Sequence, residues 1–272
     1  MALDGWALRR TTPPRAEPLD LSEVKDHLRV DGTAEDARIG ALIAAGRENV
    51  EAIVGRSLLT QSWRLSLDAW PLDGVIRLPK PPLQQVDQVQ YVDPDGVTQT
   101  WSSDEYRVDT EDEPGRLTLA WDASWPSLRY VTGAVRIDYT AGFATAFTAD
   151  NTTDTLTASG HTYSDGAVVR LKNSGGALPA GLDEQTDYYV VNASGDTLQL
   201  AASEGGSVVS FTDDGTGTHY LDLFPEPIRQ AMLLLIGHWF EHREQAVVGE
   251  SPEELPVAVQ HLLAPHRIFP MG

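Results

Sequence analysis

His238-Trp239-Phe240-Glu241-His242 is the stretch of this 272-residue chain whose residue types and spacing come nearest to catalysis. Two histidines four apart share one face of a helix and could grip one Zn²⁺, and with the intervening glutamate they fit the H-x-x-E-H pattern of inverted zinc peptidases. A zinc-dependent hydrolase using His238, Glu241 and His242 is therefore one reading. A third ligand is the difficulty, because only 30 residues follow and Glu250, Glu253 and Glu254 lie in a proline-broken stretch. The competing reading is a buried helix whose polar side ends in His, Glu and Arg near its C-terminus, where positive charge is favourable. We prefer it, and assign no catalytic residue, metal ligand or cofactor.

Other residues that could do chemistry are as readily explained by folding. Asp213-Asp214 lacks the ligand spacing of a calcium loop and reads as a solvated turn. Asn151-Thr152-Thr153 and Asn192-Ala193-Ser194 are sequons with no secretion signal to accompany them. The absence of cysteine excludes disulfides, thiolate catalysis and Cys-based zinc sites. No P-loop, G-x-S-x-G elbow or dinucleotide fingerprint occurs. Tyr163, Tyr188 and Tyr189 could form a glycan-binding face on residues 145–222, although alternation inside a small β fold explains them equally well.

Forty acidic residues stand against 20 Lys and Arg, a formal charge of -20. Such a surface repels phosphate, so sequence-independent nucleic-acid binding is disfavoured and DNA should pass the protein rather than adhere. With 41% hydrophobic and 22% charged residues the chain has the apolar mass for a folded core, which excludes general disorder. No stretch reaches the roughly 18 apolar residues of a membrane span, and the first ten residues lack an apolar signal region. We expect a soluble protein, made in a cytoplasm, with no membrane partner.

The elements that must position these residues follow from periodicity. Residues 1–18, with Pro13, Pro14 and Pro18, read as an extended arm. Asp20 and Glu23 resemble a capping box ahead of Leu21, Val24 and Leu28. Ile39, Leu42, Ile43, Gly46, Val50, Ile53 and Val54 form the stripe of a second helix ending at Gly55. From Thr60 the period becomes two, and strands are expected around 63–67, 75–78, 86–92, 101, 106–108, 117–121 and 134–139, with Asp93-Pro94-Asp95-Gly96 as a turn.

Near residue 145 the composition shifts to Thr, Ser and Gly, with two basic and eleven acidic residues through residue 222. Strands are expected at 155–157, 167–171, 188–191, 197–200 and 208–211. Pro225 and Pro227 open a helix over Ile228 to Trp239, and Val257 to Leu263 forms a short segment closed by Pro265. The predicted class is α+β: a helical core of two N-terminal helices and a long C-terminal helix, an antiparallel β unit, and an inserted all-β domain. The expected divisions are an arm (1–18), a core (19–144 plus 223–248), a module (145–222) and a tail (249–272).

Several stretches outside the module resemble the phage head-tail connector (adaptor) family of the neck. They are Leu21 to Lys25 with His27 to Asp31; Glu35 to Ile43 with Glu51 and Gly55-Arg56; Leu78 to Leu83 with Val86, Val89, Tyr91, Asp93 and Gly96; Trp125-Pro126, Gly133 to Arg136 and Tyr139 to Gly142; and Ile228 to Glu244 with Leu255 to Arg267. They occur in the family's order and cover about 19–142 and 224–268. Ala177 to Leu182, Asp187 to Val191 and Asp214 to His219 resemble a small β module found in phage virion proteins.

The resemblance implies a structural virion protein, not an enzyme: a homo-oligomeric ring, a dodecamer in the family, in the neck below the portal protein. It would join the portal to a downstream neck, stopper or tail protein and let DNA through without specific binding. It would reside in the virion neck, and in the host cytoplasm during assembly. Leu255, Pro256, Leu262, Leu263, Arg267, Ile268, Phe269 and Pro270 are the expected portal-docking residues, in a segment poorly ordered until the portal is present. Folding of Val257 to Leu263 back onto the chain's own helices is an equal alternative.

Overall fold

The computed structural model describes residues 5–14, 17–19, 21–143, 145–159, 161, 163–221, 225–242 and 256–268. The chain divides into two compact units, one of residues 1–14, 55–143 and 268–272 and the other of residues 15–54 and 144–267. The class is α+β with antiparallel sheets, as the pattern predicts.

In the first unit, β1 (Trp6–Thr12), β2 (Gln61–Leu67), β4 (Leu83–Val92), β5 (Thr98–Thr100) and β8 (Val135–Ala141) form a five-stranded sheet in the order β1-β2-β8-β4-β5. A three-stranded sheet, β3-β7-β6, is built from β3 (Val75–Arg77), β6 (Tyr106–Asp109) and β7 (Arg116–Leu119). Alternation decides which side of each strand is buried. Leu65 and Leu67 of β2 sit opposite Ile137 and Val135 of β8, and all four are core residues. Ile76, Leu78 and Leu117 belong to the same cluster, as does Trp101, which follows β5 rather than lying in a strand.

Tyr139 is fully buried and donates its hydroxyl proton to the Pro79 carbonyl at 2.7 Å. Burial pushes its phenol far above the ordinary tyrosine range, so this donor keeps its proton. Residues 6–12 of the expected arm are β1, an edge strand in register with β2. Leu8 is half-buried against the core and Trp6 is 49% exposed, too little apolar alternation to reveal the strand.

The second unit contains α1 (Leu21–Leu28), α2 (Asp36–Val54), α3 (Glu226–Glu241) and α4 (Val257–Leu263). The α2 stripe of Ile39, Ile43, Gly46, Val50 and Val54 is buried. Gly46 permits close packing, since a Cβ there would lie 3.2 Å from Cγ1 of Ile236 on α3. A buried Arg47 on α2 is held by Glu17 at 2.8 Å and Glu51 at 3.3 Å.

The same unit holds a seven-stranded antiparallel sheet in the order β11-β13-β14-β10-β9-β15-β12. Its strands are β9 (Thr145–Asp150), β10 (Thr155–Thr157), β11 (Val168–Val169), β12 (Leu171–Ser174), β13 (Tyr188–Ser194), β14 (Thr197–Ala201) and β15 (Thr218–Leu221). Phe147, Leu156, Leu171, Val190, Leu198 and Leu221 contribute to its core.

Three sequence expectations change here. The strand predicted over 167–171 is two strands, because β11 pairs with β13 and β12 with β15. The strand predicted over 208–211 is irregular backbone: Val208 makes one isolated bridge to Ala201, and the Phe211 N–H goes to the Asp154 carboxylate at 3.0 Å. β9 and β15 were not anticipated, and they pair with each other as the fifth and sixth strands of the sheet order, next to the edge strand β12. Glu23 of α1 joins this module to the helices, pairing with Lys172 of β12 at 3.5 Å and with Arg229 of α3.

Candidate functional site

The zinc-like motif ends α3. The His238 and His242 rings lie 4.5 Å apart, and Nδ1 of His242 donates to the His238 carbonyl at 3.0 Å, closing the last turn. Arg38 of α2 adds a bond to the Phe240 carbonyl at 3.0 Å and lies 4.6 Å over the Phe240 ring. These polar groups satisfy the carbonyls a helix leaves open at its C-terminus. Among the described residues no group of three His, Asp or Glu side chains is placed to hold a metal.

The other decoys also serve the fold. Asp213 accepts from the N–H groups of Ala180 and Gly215, and Asp214 from that of Asn151, so both aspartates shape turns. Tyr188 is a core residue, whereas its neighbour Tyr189 points to the other side of β13. Tyr163 stacks on His161. These three tyrosines form no common platform.

Of the expected docking residues, Leu255, Phe269 and Pro270 lie outside the described set. Pro256 precedes the first turn of α4. Leu263 is fully buried and Leu262 half-buried, while α4 packs against α3 and α2. Arg267 donates from Nε to the Ile53 carbonyl at 3.2 Å, at the end of α2. Ile268 packs beside Gly55, whose φ of +74° closes the same helix end. Residues 256–268 are thus folded on the chain itself, and the expectation of disorder before docking does not hold for them. The reason is that Val259 and Leu263 find burial on α4's own neighbours.

An apolar surface that sequence reasoning missed lies on the β unit, at the end where β2, β4 and β7 finish and β5, β6 and β8 begin. Hydrogen bonds stitch its loops together. Gly133 N–H donates to the Asp68 carboxylate at 2.6 Å, Arg129 N–H to the Val92 carbonyl at 3.0 Å, and the Trp70 indole to the Pro126 carbonyl at 2.8 Å. Beneath them Trp70 stacks on Trp125 at 4.6 Å and touches Trp101 at 5.3 Å.

On top of this support, Leu72, Trp121 and Tyr130 are 93%, 86% and 102% exposed. Arg107, Leu119, Trp121 and Ala123 line a shallow hollow beside them. The β4–β5 turn is set by Asp93, which accepts from the Val97 N–H and the Gln99 side chain; those bonds, the Gln99 one foremost, hold its carboxyl below the usual range. Tyr130 lies outside the strand alternation in sequence, whereas Trp121, expected inside the strand over 117–121, falls in the turn after β7.

Residues 18–100, from before α1 through β5, match the family of phage gp6-like head-tail connector proteins. Among curated proteins none matches.

Solved structures share the fold along nearly the whole chain. One belongs to the neck of an empty gene transfer agent particle computed with C6 symmetry, at 20% identity, covering 97% of this chain and 96% of that one, with a TM-score of 0.57. A second belongs to the virion of a native gene transfer agent particle, at 20% identity, 96% and 95% coverage and a TM-score of 0.56. A third belongs to the neck of the native particle computed with C12 symmetry, at 19% identity, 97% and 96% coverage and a TM-score of 0.55. Residues 18–100 are thus similar to that connector family, and the fold of nearly the whole chain is shared with these neck and virion structures.

Proposed function

We propose that this connector forms a ring, dodecameric as its family implies, coaxial with the portal protein in the neck of a tailed phage or phage-like particle. The ring joins the portal to the next neck, stopper or tail protein and lets DNA pass, and the protein has no catalytic role. The observation that carries this reading is the family match over 18–100, joined to a fold shared with neck structures over nearly the full chain. The charge of -20 suits the conduit, since an anionic lining does not retain the duplex. The protein is made in the host cytoplasm and resides in the virion neck.

We assign portal docking to the C-terminal segment, through Leu255, Pro256, Leu262, Arg267, Ile268, Phe269 and Pro270. Leu263 supports these residues from within. The segment comes late in the chain, and Ile268-Phe269-Pro270 could add extended backbone to a partner's sheet edge. A second reading places docking on the loop end of the β unit, favoured by the exposure of Trp121 and Tyr130 beside the burial of Leu263.

Co-expression of the chain with portal, followed by electron microscopy of the purified complex, tests the function. A closed ring coaxial with the portal is expected. Purified necks from which this protein is absent would overturn the assignment.

A further inference from the structure

The outward face of the five-stranded sheet differs in chemistry from the rest of this anionic molecule. The strand register places Arg9, Arg64, Asp138 and Gln88 in one row across it, and Ala7, Ser66, Arg136, Gln90 and Thr100 in the next. A third row holds Thr12, Ser62, Thr140 and Gln85. The face carries three arginines and two aspartates, with no lysine and no glutamate; Asp87 accepts from Thr140 at 3.0 Å and from Gln85 at 2.6 Å. Asp138 is matched by Arg64 in a two-bond pair at 2.6 and 2.7 Å. Arg9 and Arg136 are exposed, and neither has an acidic partner among the described residues. Protein interfaces enrich arginine and deplete lysine and glutamate relative to other surface.

Charge is also divided unevenly. The unit that contains this sheet has ten basic and fourteen acidic residues; the unit of helices and module has ten basic and twenty-six acidic. Within 145–221 both cations are already engaged, Arg170 with Asp187 and Lys172 with Glu184 and Glu23.

We propose that this sheet face is the seat for the helix-and-module unit of a second copy of the chain, and that repetition of the contact closes the ring. The inference rests on the connector reading and deepens it. Two copies meeting through this same face would set Arg9 and Arg136 against their own equivalents, so a two-fold dimer is disfavoured. A head-to-tail contact instead brings the arginines to the acidic unit of the next copy, and such a contact repeats until it closes.

Five strands about 4.8 Å apart and about 24 Å long offer roughly 450 Å² of flat face, short of the ~800 Å² per partner of a stable complex. One contact should therefore be weak and salt-sensitive, and closure of the ring supplies the remaining stability.

The test uses the purified full chain, with oligomeric state measured by sedimentation velocity up to about millimolar concentration in low and high salt. The wild type is expected to form closed rings that dissociate as salt is raised. Arg9→Glu with Arg136→Glu should raise the concentration for half-assembly at least tenfold while leaving the melting temperature unchanged, and Arg9→Lys with Arg136→Lys should restore assembly.

A photo-cross-linking residue at position 136, in a mixture of isotopically light and heavy copies, should join residues 17–54 or 145–221 of another copy. Rings that form equally well from the glutamate variant, or cross-links only to residues 55–143 of the neighbour, overturn this contact and leave the connector reading standing. A wild type that stays monomeric throughout overturns the contact and removes support from the ring itself.

Discussion

Asn173 serves two acceptors with one amide, the Thr216 carbonyl at 2.7 Å and Nδ1 of His219 at 2.8 Å, while the other ring nitrogen of His219 donates to the Asp214 carbonyl at 3.1 Å. The pair is buried and pins the turn between the module's core and β15. Asn173→Ala leaves Nδ1 of His219 without its donor and the Thr216 carbonyl with only the Ala177 N–H, and should cost about 1–3 kcal/mol, read as a lower denaturation midpoint. Burial holds the His219 imidazolium below the ordinary histidine value of 6.5, against an opposing bond to Asp214. The folded state therefore binds this proton less readily than the unfolded chain. Stability from His219 should be complete above the unfolded value, fall as pH drops through it, and level off below the lowered folded value. A melting temperature independent of pH between 7 and 5 would refute this. Tyr139→Phe removes the bond to Pro79 and should cost about 1 kcal/mol in equilibrium unfolding.

At the scale of elements, the module is tied to the helices through a few polar contacts around Glu23, whereas the five-stranded sheet is completed by strands lying between residues 6 and 141. Deleting 145–222 and joining Phe143 to Leu223 through a short glycine linker should leave the β unit and helices folded. Arg229 remains to hold Glu23 after the cut. Circular dichroism should retain the helical signal with a cooperative melt; an insoluble product would mean that the module is part of an indivisible core. Infectious particles lost despite a folded core would assign the module a contact role in the virion.

For the whole molecule, removal of His266 to Gly272 should give a folded protein that no longer co-purifies with portal. Because Arg267 donates to the Ile53 carbonyl near the end of α2, the truncation should also lower stability slightly, by about 1 kcal/mol for the capping bond lost. Undiminished portal binding would move the docking site to the loop end of the β unit, and Trp121→Ser with Tyr130→Ser would then be the variants that abolish it. The intact protein should leave duplex DNA unretarded in an electrophoretic shift at low salt, where electrostatic binding is strongest.

Periodicity and turn chemistry alone determined α1, α2, α3 and most strands of the β unit, because an apolar stripe such as Ile39 to Val54 admits one helical solution and Gly55 ends it. The order of family-like stretches from Leu21 to Gly142 also gave the resemblance to the connector family, whose model matches residues 18–100. Tertiary structure decided what local pattern cannot encode. The arm became β1 because β2 offered an open edge. Residues 167–171 split because two different strands claimed their halves. Leu263 turned inward because α3 and α2 gave it a place to be buried. The same holds for surfaces: Arg9, Arg64 and Arg136 lie far apart in the chain, and only strand register sets them on one face.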